Sequence, residues 1–88
     1  MKKYVISYYS IEYGANIFAT PSFTNSELVE GTKKQVEERI LSKTDDYGNK
    51  FRKATKQEEK MFGYKFMSHS GSATYKVYNE STTTAIKL

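Results

Sequence analysis

The sequence predicts an α+β fold: a small antiparallel β-sheet of about four or five strands, in the order β-β-α-(α)-β-β-β, with one or two helices packed on one face. Three observations carry this. β-branched and aromatic residues concentrate at both ends of the chain, capping-box spacings recur in the middle, and turn residues separate the segments. At 88 residues the chain is expected to be a single domain, residues 1–88. A chain of this size buries only about two thirds of its unfolded surface, so the core is thin.

Lys3 to Ile11 reads as the first strand. Tyr4, Ile6 and Tyr8 point to one face, and Val5, Tyr9 and Ile11 to the other. Large groups on both sides mark a central strand. Glu12 to Asn16 has turn chemistry around Gly14, and Ile17 to Phe23 reads as the second strand of a hairpin. Pro21 donates no backbone hydrogen bond, which places that strand end at an edge.

Two helix starts compete next. Thr24-Asn25-Ser26-Glu27 and Thr32-Lys33-Lys34-Gln35 both have capping-box spacing. Gly31 costs about 1 kcal/mol inside a helix relative to alanine, which favours the second start. The helix is expected from about Lys33 to Ser42, with Val36, Ile40 and Leu41 as a narrow apolar stripe. Lys33–Glu37 and Lys34–Glu38 are expected i,i+4 pairs on its wet side. With the first start instead, the helix begins near Ser26.

Thr44 to Asn49 reads as a loop, and Phe51 to Ala54 is ambiguous. Thr55-Lys56-Gln57-Glu58 is a third capping box, followed by Gly63 as a helix terminator, so a short second helix is expected between them. Tyr64 to His69 reads as a strand, Ser70 to Ser72 as a hairpin turn, Ala73 to Tyr78 as a strand and Asn79 to Ser81 as another turn. Thr82 to Lys87 then completes a three-stranded meander.

Composition narrows the function classes. No cysteine is present, which excludes a disulfide scaffold and a thiolate metal site. The start, Met1-Lys2-Lys3, lacks the apolar core of a signal peptide, and no apolar run approaches the ~20 residues of a membrane helix. A soluble, cytoplasmic protein with no membrane partner is expected, in the host cytoplasm if the chain is viral. The net charge is +4, distributed as −1 over residues 1–31, +4 over 32–65 and +1 over 66–88. Acids interleave with the lysines of the middle third, as on a solvated helix face. Lysine outnumbers arginine 12 to 2, so any nucleic-acid contact tracks the backbone rather than base edges.

No catalytic, metal or cofactor motif stands out. His69 is the single histidine, and its neighbour Ser68 points to the opposite strand face, so the two do not form a nucleophile–base pair. Asp45-Asp46-Tyr47-Gly48-Asn49 lacks the ligand spacing of a calcium loop and reads as a polar turn. Glu37-Glu38 and Glu58-Glu59 are adjacent pairs rather than convergent ones. The chain is therefore expected not to be an enzyme and to need no cofactor.

Lys60-Met61-Phe62-Gly63-Tyr64-Lys65-Phe66 resembles in part the RNP1 motif of RNA-recognition domains. Lys60, Phe62, Gly63 and Tyr64 match; Met61, Lys65 and Met67 depart from the pattern. No residue is carried over from that family as a site.

Eight tyrosines and five phenylalanines in a chain without tryptophan are its most informative feature. Tyrosine suits half-buried sheet faces and contact surfaces. One helical layer covers one face of a sheet, so some strand aromatics are expected on the open face. Tyr4, Tyr8, Tyr64, Phe66, Tyr75 and Tyr78 are the expected partner-binding residues. The expected function is a small non-enzymatic binding module of phage or mobile-element type. It would modulate or inhibit a host protein through this face or an edge strand. The alternative is a nucleic-acid-binding accessory protein using Lys-rich residues 50–65, namely Lys53, Lys56, Lys60 and Lys65, with Tyr64. The uncharged run Thr82 to Ile86 offers an edge for a homodimer.

Overall fold

A computed structural model describes residues 2–12, 20–79 and 84–88. Its elements are β1 (Lys2–Glu12), β2 (Thr20–Gly31), α1 (Lys33–Leu41), β3 (Arg52–Lys53), α2 (Lys56–Phe62), β4 (Phe66–Met67), β5 (Gly71–Tyr78) and β6 (Ile86–Lys87). Among the described residues the strands form one six-stranded sheet in the order β3-β4-β5-β1-β2-β6. The class is α+β. The sheet is mixed rather than wholly antiparallel, because β6 runs parallel to β2.

β1 lies at the centre, as its two-sided apolar pattern implies. It pairs with β2 from Lys2↔Gly31 to Glu12↔Thr20, and with β5 from Lys3↔Tyr78 to Ser10↔Gly71. The expected second strand, Ile17 to Phe23, falls partly outside the described residues, and β2 continues well past it to Gly31. Thr24 to Glu27, with its capping-box spacing, is therefore strand and not a helix start. Pairing with β1 satisfies its backbone along the ladder, and Val29 is fully buried opposite Tyr4, which a helix starting near Ser26 would forfeit. The register slips once, where Asn25 opposes Tyr8 but Phe23 opposes Tyr9. Thr24 is the extra residue, and its hydroxyl donates to the Tyr8 carbonyl at 3.0 Å.

α1 begins at Thr32, where the capping box is complete: the Gln35 N–H donates to Thr32 Oγ1 at 3.2 Å, and the Thr32 N–H to Gln35 Oε1 at 2.9 Å. Val36 and Ile40 point down and are fully buried. They complete a core of Tyr4, Ile6, Tyr8, Val29, Phe51, Phe66 and Ala73. Each such aliphatic side chain contributes roughly 1.5–3 kcal/mol by leaving water. Glu37 does not serve the expected pair with Lys33. It accepts a hydrogen bond from the Tyr75 hydroxyl at 2.8 Å and lies 3.7 Å from Lys53 Nζ.

α2 is the expected second helix, with a complete capping box at Thr55 and Gly63 closing it at φ 79°. It buries none of its own residues, whereas α1 buries Val36 and Ile40 against the sheet. Arg52 braces it from β3, reaching both oxygens of Glu58 at 2.6 and 2.8 Å. That guanidinium and the Thr55 backbone hold Glu58 at about 2, far below an ordinary glutamate.

One turn and one strand placement are corrected. The β4–β5 turn spans Ser68 to Ser70, and Gly71 and Ser72 already belong to β5. The final strand does not extend a meander. β5 is flanked by β1 and β4, leaving no free edge there, and β6 goes instead to the outer edge of β2, with Val29↔Ile86 and Glu30↔Lys87. The Leu88 N–H donates to the Glu30 carbonyl at 3.0 Å. The proposed dimer edge at Thr82 and Thr83 lies outside the described residues.

Candidate functional site

The alternation along β1 divides the sheet into two faces, and α1 decides their fates. Tyr4, Ile6 and Tyr8 face α1 and are buried, at 5 %, 0 % and 7 % exposure. Phe66, expected in the partner-binding set, is buried with them at 2 %. Their placement on an open face is corrected: α1 lies over the Tyr4-Ile6-Tyr8 series, so these rings fill the core. Tyr75 shares that side, edge-on to Tyr4 at 5.8 Å and beside Phe66 at 6.2 Å. Burial and the bond to Glu37 push its hydroxyl up to about 12.

The opposite face is assembled from cross-strand neighbours. Lys3 opposes Glu30 and Tyr78; Val5 opposes Leu28 and Lys76; Ser7 opposes Ser26 and Thr74; Tyr9 opposes Phe23 and Ser72. On this face Val5 and Ser7 are half-buried and Lys76 is exposed, while Met67 and Ser72, in the row of Tyr9, are buried. The small hydroxyl residues Ser26, Ser7 and Thr74 form the floor of a shallow trough. Val5, Ser7, Tyr9, Thr74 and Lys76 line a hollow of about 120 Å³ within it.

One wall of the trough is aromatic. Tyr9 sits between Phe23, edge-on at 5.8 Å, and Tyr64, tilted at 5.1 Å. Phe23 is 60 % exposed. Burial beside Tyr9 raises the Tyr64 hydroxyl above its usual range. Of the expected contact residues, Tyr64 and Tyr78 therefore belong to this face. Tyr9 and Phe23 were not among those expected, although the period-two pattern already set Tyr9 apart from Tyr4 and Tyr8.

The residues of the nucleic-acid alternative do not come together. Lys53 opposes Phe66 on the α1 side and reaches Glu37. Lys65 lies over the Tyr75 ring at 5.4 Å, also on that side. Lys56 and Lys60 are exposed on α2, while Tyr64 packs on the opposite face against Tyr9. The part-resemblance to RNP1 also ends here: Lys60 and Phe62 are helical and Gly63 is a helix cap, whereas the motif requires a strand.

Polar networks elsewhere are structural. Glu27 accepts from Arg39, from the Tyr8 hydroxyl at 3.2 Å, and lies 3.4 Å from Lys43 Nζ. Desolvation and the Glu27 carboxylate raise the Tyr8 hydroxyl well above its usual range. Asp45 accepts from Ser68 Oγ at 2.7 Å and from the backbone N–H groups of Tyr47, Asn49 and Ser70 at 2.9, 2.9 and 3.0 Å. A polar turn thus occupies the site of the imagined cation loop, with Gly48 at φ 84°. Among the described residues no group of three or more His, Asp or Glu side chains converges as a metal site. No described helix is long and apolar enough to cross a membrane.

No protein-family model, curated protein or solved structure matches this chain.

Proposed function

We propose that this chain is a non-enzymatic module that binds a host protein, and so modulates it, through the sheet face opposite α1. The supporting observation is the row Phe23–Tyr9–Tyr64 on that face, with Phe23 60 % exposed and its neighbours at ring-contact distance. Aromatic side chains held rigid by one another and left in water are the residues that anchor protein interfaces. Val5 and Leu28 extend the apolar surface past the hydroxyl floor.

The test is photo-crosslinking in host lysate with wild type and with Phe23→Ala/Tyr64→Ala as bait, at low and moderate salt. A discrete adduct formed by wild type at both salts and absent from the double variant is the expected result. Equal labelling by a correctly folded double variant would refute the reading. Labelled DNA and RNA provide the counter-test: tight binding that collapses with salt would favour the nucleic-acid alternative instead.

A further inference from the structure

We infer that the segment docking on this face is an acidic one: a stretch of partner polypeptide that sets apolar side chains against Phe23–Tyr9–Tyr64 and carboxylates over the lysines at the other end. The inference rests on the binding reading above and specifies its partner. Its basis is the arrangement of charge along the strands. By register, Lys87, Glu30, Lys3 and Tyr78 form one cross-strand row on the face opposite α1, and Lys76 stands in the next row, opposite Val5. Of the cations that register places on this face, Arg52 is paired with Glu58, and Glu30 is the one acid among the described strand residues there. Lys76 and Lys87 are exposed, and Lys76 forms no ion pair with a described carboxylate.

The acids of this half of the molecule go elsewhere. Glu27 faces α1 and is neutralised by Arg39 and Lys43, and Glu37, on α1 itself, meets Lys53 on the α1 side of the sheet. The chain carries +4 overall, so long-range attraction favours a negative partner as well. The face is therefore polar in the literal sense, aromatic at one end and cationic at the other. From Tyr9 to the Val5–Lys76 row is four residues, about 13 Å along a strand. Between the two ends Ser26, Ser7 and Thr74 leave room for partner side chains and offer hydroxyls to them. A neutral apolar partner would leave Lys76 covered and unpaired, which costs binding energy, and a basic one would be repelled.

The experiment is selection of random displayed peptides on the folded wild-type protein. Synthetic copies of the winners are then titrated against wild type, Phe23→Ala and Lys76→Glu. Phe23 and Lys76 are exposed, so both variants should retain the wild-type fold, checked by circular dichroism. Winners are expected to combine Asp or Glu with large apolar residues, and to lose about tenfold in affinity with either variant. Neutral or basic winners that need Phe23 but ignore Lys76→Glu would overturn the acidic assignment and leave the binding face intact. An absence of winners, or winners indifferent to Phe23→Ala, would overturn both.

Discussion

Arg39 grips Glu27 with both sides of its guanidinium, Nε to Oε2 at 3.0 Å and Nη2 to Oε1 at 3.1 Å, and so joins the last turn of α1 to β2. The pair is only partly exposed, 25 % for the arginine side chain and 16 % for the glutamate. The Tyr8 hydroxyl and Lys43 close around the same carboxylate. This clamp orients α1 over the Tyr4-Ile6-Tyr8 face of the sheet and away from the face of Val5, Ser7 and Lys76.

Glu27→Gln keeps the shape but removes the charge from that clamp. Arg39 is then left half-buried without its counterion. A loss of about 1–2 kcal/mol in urea unfolding is expected, moderated by residual solvent access. Lys43→Ala, on the more exposed contact, should cost less than half as much.

Asp45 sets an acid limit. Burial pushes its carboxyl up, but the hydrogen bonds from Ser68, Asn49, Ser70 and Tyr47 together outweigh it and hold the group down from 3.8 to about 2. A depressed folded value means its contribution is fully present above about pH 4 and is lost as pH falls toward 2. Glu27, held below the ordinary value first by Arg39, acts with the same sign. Thermal melts of wild type should therefore fall steeply over that window. In Asp45→Asn the fall should be shallower and the neutral-pH stability lower by about 1–3 kcal/mol.

Thr55→Ala removes the cap of a helix that buries nothing. The N–H of Glu58 loses its acceptor, at a local cost of about 1 kcal/mol. Amide exchange should accelerate over residues 58–63, while the global unfolding midpoint hardly moves. An equal drop in global stability would mean that α2 is part of the cooperative core.

Ser72 is fully buried, and its hydroxyl finds no hydrogen-bond partner among the described residues. An unsatisfied buried hydroxyl carries its desolvation penalty without return, so Ser72→Ala should be neutral or stabilising by up to about 1 kcal/mol. Destabilisation in a denaturant titration would show that the hydroxyl has an acceptor after all.

Much of the fold was legible because local chemistry agreed with the tertiary structure. The Thr32 and Thr55 boxes cap helices, and the β1 alternation holds in register on both sides. Thr24 to Glu27 misled, since a cap spacing has no force where a neighbouring strand offers a complete ladder. The place of the last strand was hidden too, because edge vacancies depend on strand order and not on any residue in β6. The candidate site was half legible for a related reason. Alternation tells which rings share a face, so Tyr4 goes with Tyr8 and Tyr9 stands apart. It does not tell which face a helix will occupy, and Tyr4, Tyr8 and Phe66 were assigned to the wrong side of that choice.

The central position of β1 has a kinetic consequence. One of its neighbours arrives early, through a hairpin, but the other pairs Lys3 with Tyr78, nearly the whole chain away. Until that long loop closes, Tyr4, Ile6 and Tyr8 have only one flanking strand, and loop closure must be met before those contacts reward it. The chain should fold more slowly than a helical bundle of its length. Its transition state should already contain β1 beside β5, so substitutions at Ala73 should slow folding, whereas those on α2 should leave the folding rate almost unchanged.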